Sequence, residues 1–101
     1  MTPPADYAAR IRNAWAGRIS GCLLGKAVEV LSLTQGPKAL TDYLRRADAL
    51  SLRDYVPLIK GTLVELTGRQ ACRGEFFRAE WDDDINYTVL ALMILEEHGL
   101  E

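Results

Sequence analysis

Residues 82–99 read DDDINYTVLALMILEEHG, and the apolar positions in this segment recur with the period of an α-helix. One stripe along this helix is formed by four apolar residues, Ile85, Val89, Leu92 and Leu95. Three aspartates open the segment, where the helix dipole favours negative charge, and Gly99 stands where glycine commonly ends a helix. The pattern therefore predicts a helix over residues 83–98.

Two further helices are predicted upstream of this segment. Asp6 is a suitable N-cap, and the apolar residues that follow it have helical spacing, which predicts a helix over residues 6–30. Pro37 suits the first position of a helix, and the apolar residues after it predict a shorter helix over residues 37–47.

The stretch from residue 58 to residue 81 is the ambiguous part of the chain. Residues 62–66, with the sequence TLVEL, fit a strand that turns at Gly68, and a helical turn fits nearly as well. We expect this stretch to be irregular. With three amphipathic helices and no clear strand, the sequence predicts an all-α protein.

The bulk composition is that of an ordinary soluble globular protein, with 49% apolar and 26% charged residues among 101. The net charge is −2 and the longest basic run is Arg45-Arg46, so neither a nucleic-acid partner nor a membrane-binding surface is expected. Cys22 and Cys72 have no metal-ligand spacing, and we expect both to be reduced. Because the N-terminus lacks the apolar core of a signal peptide, a cytoplasmic location is expected.

A row of glycines occupies one broad face of the first predicted helix. Gly17, Gly21, Gly25 and Glu29 follow one another at intervals of four residues. Glycine inside a helix costs about 1 kcal/mol relative to alanine, unless a close approach compensates for it. One interpretation is tight helix–helix packing over the row, with Glu29 solvated. The other is a smooth face beside a cleft, with Glu29 at its mouth.

The acidic cluster Asp82-Asp83-Asp84 is the second candidate site. A helix N-terminus needs only one capping carboxylate, and three adjacent carboxylates repel one another. The simpler interpretation is a cap with additional solvated charges. The alternative is a site for a hard divalent cation such as Mg²⁺, which takes oxygen ligands.

Both segments resemble signatures of one enzyme family. The run GRISGCLLGKAVE at residues 17–29 resembles the N-terminal signature of the ADP-ribosylglycohydrolases, and DDDINYTVLAL at residues 82–92 is similar to the first metal motif of that family. The resemblance implies an all-α fold, a compact orthogonal helical bundle, of which residues 1–101 would be the N-terminal part of a single domain. It covers most of the chain and is poorest between residues 58 and 80.

The resemblance also implies a site and a reaction. Family members hold two Mg²⁺ or Mn²⁺ ions and cleave the glycosidic bond between ADP-ribose and an amino-acid side chain or a related group. By resemblance, Asp82, Asp83 and Asp84 would be metal ligands and Glu29, expected across the cleft from them, would be the catalytic carboxylate. Two further residues, Gly25 and Asn86, would contact the substrate. The expected partner is an ADP-ribosylated protein or a small ADP-ribosyl or ribosyl compound.

The sequence departs from the family pattern at several positions. Asp82 and Ile85 stand where the metal motif commonly has threonine, and Cys22 stands where many members carry aspartate. These differences resemble those of a divergent branch, whose substrate need not be ADP-ribosyl-arginine or ADP-ribosyl-serine. The second acidic motif, which supplies the remaining metal ligands in the family, does not occur in these 101 residues. A complete metal site is therefore not expected from this part alone.

Three functional hypotheses follow from these features. The first is a metal-dependent hydrolase of the ADP-ribosylglycohydrolase type, of which this part would be inactive alone. The second is a non-catalytic binding or structural relative, like the crystallin-like members of the family. The third is an unrelated helical packing module, in which both motifs are accidental. A second acidic motif in a longer reading frame would favour the first hypothesis over the second.

Overall fold

The computed structural model describes residues 2–100, and the secondary structure within that range is helical with no strand. The helices are α1 (Tyr7–Lys26), α2 (Glu29–Arg46), α3 (Leu63–Thr67) and α4 (Asp83–His98), with a 3₁₀ turn at Arg69–Ala71. The all-α prediction is confirmed at this level. None of the helices in the described range is both long and apolar enough to cross a membrane.

The chain divides into two units. The first, here called the terminal unit, consists of Met1–Cys22 and Trp81–Glu101. The second, here called the central unit, consists of Leu23–Glu80. The terminal unit contains most of α1 and all of α4. The central unit contains the end of α1, all of α2 and α3, and the 3₁₀ turn.

The buried core of the described chain lies almost entirely in the central unit. Its buried apolar residues are Leu23, Ala27, Leu31, Tyr43, Val56, Val64, Ala71 and Cys72. Val56, Val64 and Cys72 are the largest side chains that solvent does not reach. The core therefore draws on α2, α3 and the segments beside them, including much of the stretch that was the hardest to interpret from sequence.

The first predicted helix, over residues 6–30, is wrong at its C-terminal end. α1 stops at Lys26, and α2 begins at Glu29. Ala27 lies between the two helices and is 1% exposed, and a Cβ added to Gly68 would collide with the Ala27 carbonyl group. The turn is thus built around a close approach of Gly68, which the local helical periodicity does not encode.

The second predicted helix, over residues 37–47, begins too late. Helical structure already starts at Glu29, and Gly36 interrupts it with φ 85° and ψ −179°. Glycine adopts a positive φ without the steric cost that a Cβ imposes. The helix resumes at Pro37, where the sequence predicted its start, so the proline signal is correct for the second segment of α2.

The prediction of irregular structure for residues 58–81 is wrong over part of that range. Residues 63–67 form α3, and the 3₁₀ turn follows directly. Residues 62–66 therefore take the helical alternative rather than the strand. Val64, which is 0% exposed, anchors α3 in the central core, and tertiary burial of this kind outweighs a weak local preference for strand.

The last helix has the ends that the sequence predicts. Asp82 is the N-cap of α4, with its side chain accepting a hydrogen bond from the Asp84 N–H at 2.9 Å. Gly99 follows the helix with φ 73°, and its N–H donates to the Leu95 carbonyl oxygen at 2.8 Å. Local capping signals are therefore sufficient to bound this helix.

Candidate functional site

The three aspartates at the start of α4 converge on a small volume. One carboxylate oxygen from each of Asp82, Asp83 and Asp84 can be chosen so that all three lie within 4.8 Å of one another. Asp82 is 9% exposed, whereas Asp83 and Asp84 are exposed to solvent. The cluster thus has one buried and two solvent-facing carboxylates.

Helix capping uses only part of this cluster. The Asp84 N–H donates to Asp82 Oδ1 at 2.9 Å and to Asp83 Oδ1 at 3.0 Å, so two carboxylates share one backbone donor. Within the described residues no capping contact engages the Asp84 side chain itself, and its exposed carboxylate can turn toward a bound ion. Helix capping therefore explains the presence of an aspartate at position 82 better than it explains Asp83 or Asp84.

The oxygen donors suit a single hard cation. Oxygens on opposite sides of an octahedral Mg²⁺ lie about 4.2 Å apart, twice the metal–oxygen distance of about 2.1 Å. The 4.8 Å spread of the three aspartate oxygens is close to this limit, and small rotations of the exposed side chains would bring it within range. Water would complete the shell, as is usual for Mg²⁺ in proteins. The residues present therefore fit one Mg²⁺ or Mn²⁺ ion, and a second ion would need further ligands.

The remaining predicted site residues are placed as follows. Asn86 lies in the first turn-and-a-half of α4, exposed, in the same unit as the aspartates. Gly25 lies in the last turn of α1, and Glu29 is the first residue of α2, exposed. These two belong to the central unit. The structure thus brings the aspartates and Asn86 together on α4, and the expected position of Glu29 across a cleft stays a prediction.

The glycine row of α1 is open. A Cβ built on Gly17 or Gly21 meets no atom within 4 Å in the described part of the chain, and the same holds for Gly25. The simpler interpretation of the glycine spacing is tight helix–helix packing over the row. Within the terminal unit, no helix of the described chain packs tightly over Gly17 or Gly21. The row presents a smooth, accessible face.

A groove beside the acidic cluster was not predicted from the sequence. It lies between α1 and α4 within the terminal unit, and its lining residues are Ala14, Trp15, Gly17, Arg18, Gly21 and Thr88. Arg18 Nη1 donates a hydrogen bond to Thr88 Oγ1 at 3.0 Å across seventy positions of sequence. Thr88 Oγ1 in turn donates to the Asp84 carbonyl oxygen at 3.0 Å. No spacing rule could have paired Arg18 with Thr88, because the contact joins two distant helices.

Comparison with known proteins adds no relative: no family model, no curated protein and no solved structure matches this chain.

Proposed function

We propose that this chain is part of a metal-dependent hydrolase of the ADP-ribosylglycohydrolase type, with the fold of that family and Asp82, Asp83 and Asp84 as metal ligands. The observation that carries the proposal is the convergence of three aspartate oxygens within 4.8 Å at the start of α4. A capped helix needs one such carboxylate, and here two share a single N–H while the third is directed to solvent. The resemblance of residues 17–29 and 82–92 to the family signatures supplies the reaction class.

Each residue has a distinct part in this proposal. Asp82, held by its contact with the Asp84 N–H, is the most rigid of the three ligands. Asp83 and Asp84 are exposed and can rotate to complete the coordination. Held by these aspartates, Mg²⁺ or Mn²⁺ would supply Lewis-acid chemistry at the substrate oxygens. Asn86, exposed on the same helix, has an amide that can hydrogen-bond a ribose hydroxyl, and Gly25 leaves space for the substrate.

The carboxylate of Glu29 handles the proton in this scheme. Cleavage at an anomeric carbon passes through an oxocarbenium-like transition state and needs a group that accepts or donates a proton. Glu29 is exposed at the start of α2, so its side chain is available to a substrate. The proposed substrate is an ADP-ribosyl or related ribosyl group on an amino-acid side chain or another acceptor.

Metal binding by the 101-residue chain is the direct test. We expect Mn²⁺, followed by electron paramagnetic resonance of the free ion, and Mg²⁺, followed by calorimetry, to bind at one site per chain. The double variant Asp83→Asn/Asp84→Asn should lose that site, because neutral amides cannot offset the charge of a divalent cation. Its helical circular dichroism should persist, since the Asp82 cap remains.

The matched control removes the same charge from the other end of the same helix. Glu96 and Glu97 are exposed residues in the last turn of α4, and Glu96→Gln/Glu97→Gln should bind Mn²⁺ as the wild type does. Glu29→Gln should also retain the metal and, in an active form of the enzyme, mainly lower turnover. Equal metal binding by the wild type and the double asparagine variant would show that the cluster is only a helix cap.

A further inference from the structure

The groove between α1 and α4 is a shallow depression that is open to solvent. Two of its six lining residues are Gly17 and Gly21, and apart from the neighbouring backbone of α1 no described atom lies within 4 Å of the position that a Cβ would take on either. Trp15, partly exposed, adds an aromatic surface to the same groove. A ligand could therefore approach the α1 backbone closely and at the same time contact the indole.

The charge in this groove is a guanidinium with most of its donors still available. Arg18 has five N–H donors, and the structure uses one of them, for the neutral hydroxyl of Thr88 at 3.0 Å. Its side chain forms no ion pair with a carboxylate of the described chain, unlike Arg10, which pairs with Asp6 at 2.9 Å. The Arg18 charge is thus uncompensated by any direct partner in the groove.

The hydrogen bond to Thr88 gives the guanidinium a defined position. Thr88 is partly buried in α4, and its hydroxyl proton is committed to the Asp84 carbonyl oxygen at 3.0 Å. The hydroxyl oxygen is therefore oriented to accept a hydrogen bond from Arg18. This bond restricts the Arg18 side chain before a ligand binds, so less conformational entropy is lost on binding. A planar fork held in this way matches two oxygens of a phosphate group.

The helix that carries Arg18 adds to the positive potential. Within the described part of the terminal unit, α1 contains Arg10, Arg12 and Arg18 and no aspartate or glutamate, and only Arg10 forms an ion pair, with Asp6 just before the helix. Anions are therefore attracted to this helix at long range, with a strength that depends on ionic strength. The aspartates at the start of α4 oppose this attraction, and a divalent cation bound to them would neutralise most of their negative charge and weaken that opposition.

We propose that the groove lined by Arg18, Thr88, Trp15 and the two glycines is a binding site for a phosphate or diphosphate group, with Arg18 as the anion-binding residue and Thr88 as its positioning residue. This site does not depend on the proposed hydrolase activity, because none of its residues is a proposed metal ligand or catalytic group. A diphosphate offers more oxygens to the guanidinium fork and should bind more tightly than a monophosphate.

The test uses inorganic pyrophosphate with the 101-residue chain in the presence of a metal chelator. We expect pyrophosphate to shift the amide resonances of Gly17 and Gly21 and the Arg18 side-chain Nε–H resonance in a saturable way. Arg18→Gln should weaken binding at least tenfold. Arg12→Gln removes the same charge from the same helix outside the groove, and should weaken binding less than about threefold.

Two more variants separate a positioned guanidinium from a diffuse charge. Arg18→Lys keeps the charge but not the planar fork, and Thr88→Val keeps the side-chain shape but not the hydroxyl, so both should weaken binding severalfold while circular dichroism stays unchanged. If Arg12→Gln and Arg18→Gln weaken binding equally, or if pyrophosphate causes no saturable shift at Gly17 and Gly21, the proposed site does not exist. Because the chelator removes divalent metal, failure of the metal site leaves this result unaffected.

Discussion

Tyr43 shows how much of the central unit depends on one side chain. It is 6% exposed, and its hydroxyl donates to the Pro57 carbonyl oxygen at 2.7 Å and accepts from the Ile59 N–H at 3.0 Å. These bonds tie the irregular segment after α2 to the helix itself. Burial raises the pKa of Tyr43, while the hydrogen bond from Ile59 opposes that rise.

Replacing Tyr43 with phenylalanine should lower the free energy of unfolding by about 1–3 kcal/mol at neutral pH, since a buried donor and a buried acceptor lose their partner. The difference from the wild type should shrink above about pH 10, the ordinary tyrosine pKa. A folded-state pKa above the unfolded value gives stability that is present below the unfolded pKa and is lost as the pH rises through the folded one. Urea denaturation at pH 7 and pH 10.5 measures both effects.

The matched control for this variant is Tyr87→Phe, because Tyr87 is 69% exposed. Its unfolding free energy should stay within about 0.5 kcal/mol of the wild-type value, as is usual for surface positions. Equal effects of the two substitutions would mean that the Tyr43 hydrogen bonds do not persist in solution.

At the level of single residues, sequence signals predict structure well where the interaction joins residues that are close in sequence. The Asp82 cap and the Gly99 terminus involve contacts within four residues; the sequence predicted the Gly99 terminus and gave a cap as one of two interpretations of the aspartates. The contact between Arg18 and Thr88 joins residues seventy positions apart, and no residue pattern in one sequence encodes it. The acidic cluster was therefore visible from sequence, and the groove beside it was not.

Among the secondary-structure elements, the end of α1 is fixed by a contact with a distant segment. The helical pattern continues past Lys26, so periodicity alone predicts a longer helix. Gly68, at the end of α3, comes so close to the Ala27 carbonyl group that no side chain fits between them. A boundary set by tertiary packing of this kind cannot be read from local propensity, whereas the interior of each long helix can.

Alanine substitutions at Gly68 and at Gly21 should change the free energy of unfolding in opposite directions. Gly68→Ala would place a methyl group against the Ala27 backbone, which cannot yield as a flexible side chain can, so the free energy of unfolding should fall by about 1–3 kcal/mol or more. Gly21→Ala lies in the middle of α1 with open space around it, and should raise helix stability by up to about 1 kcal/mol. Thermal denaturation followed by circular dichroism compares the two variants directly.

The Gly21 result also tests the alternative interpretation of the glycine row. If that row were packed tightly against another helix in solution, a methyl group at Gly21 would be as disruptive as one at Gly68. A destabilised Gly21→Ala variant would therefore contradict the open face that the structure shows.

For the molecule as a whole, the distribution of burial is uneven. α4 has no buried residue apart from its cap, although its sequence has the apolar stripe of a core helix. Val89, Leu92 and Leu95 are 40%, 41% and 42% exposed, and Met93 and Ile94 are more exposed still. The periodicity predicted the helix correctly, but periodicity says which residues share a face and not what covers it.

Because the apolar stripe of α4 is partly exposed, polar substitutions in it should cost less stability than substitutions in the central core. Leu92→Gln/Leu95→Gln should lower the free energy of unfolding of the 101-residue chain by only about 1 kcal/mol, because partly exposed positions contribute a fraction of the burial energy of a core residue and glutamine forms helices about as well as leucine. The same variant should bind much less of a hydrophobic fluorescent dye. The comparison is Leu23→Ala, at a position 5% exposed, which should cost about 2–5 kcal/mol. If the double glutamine variant is instead destabilised as strongly as Leu23→Ala, the stripe is buried in solution and the open arrangement of α4 is wrong.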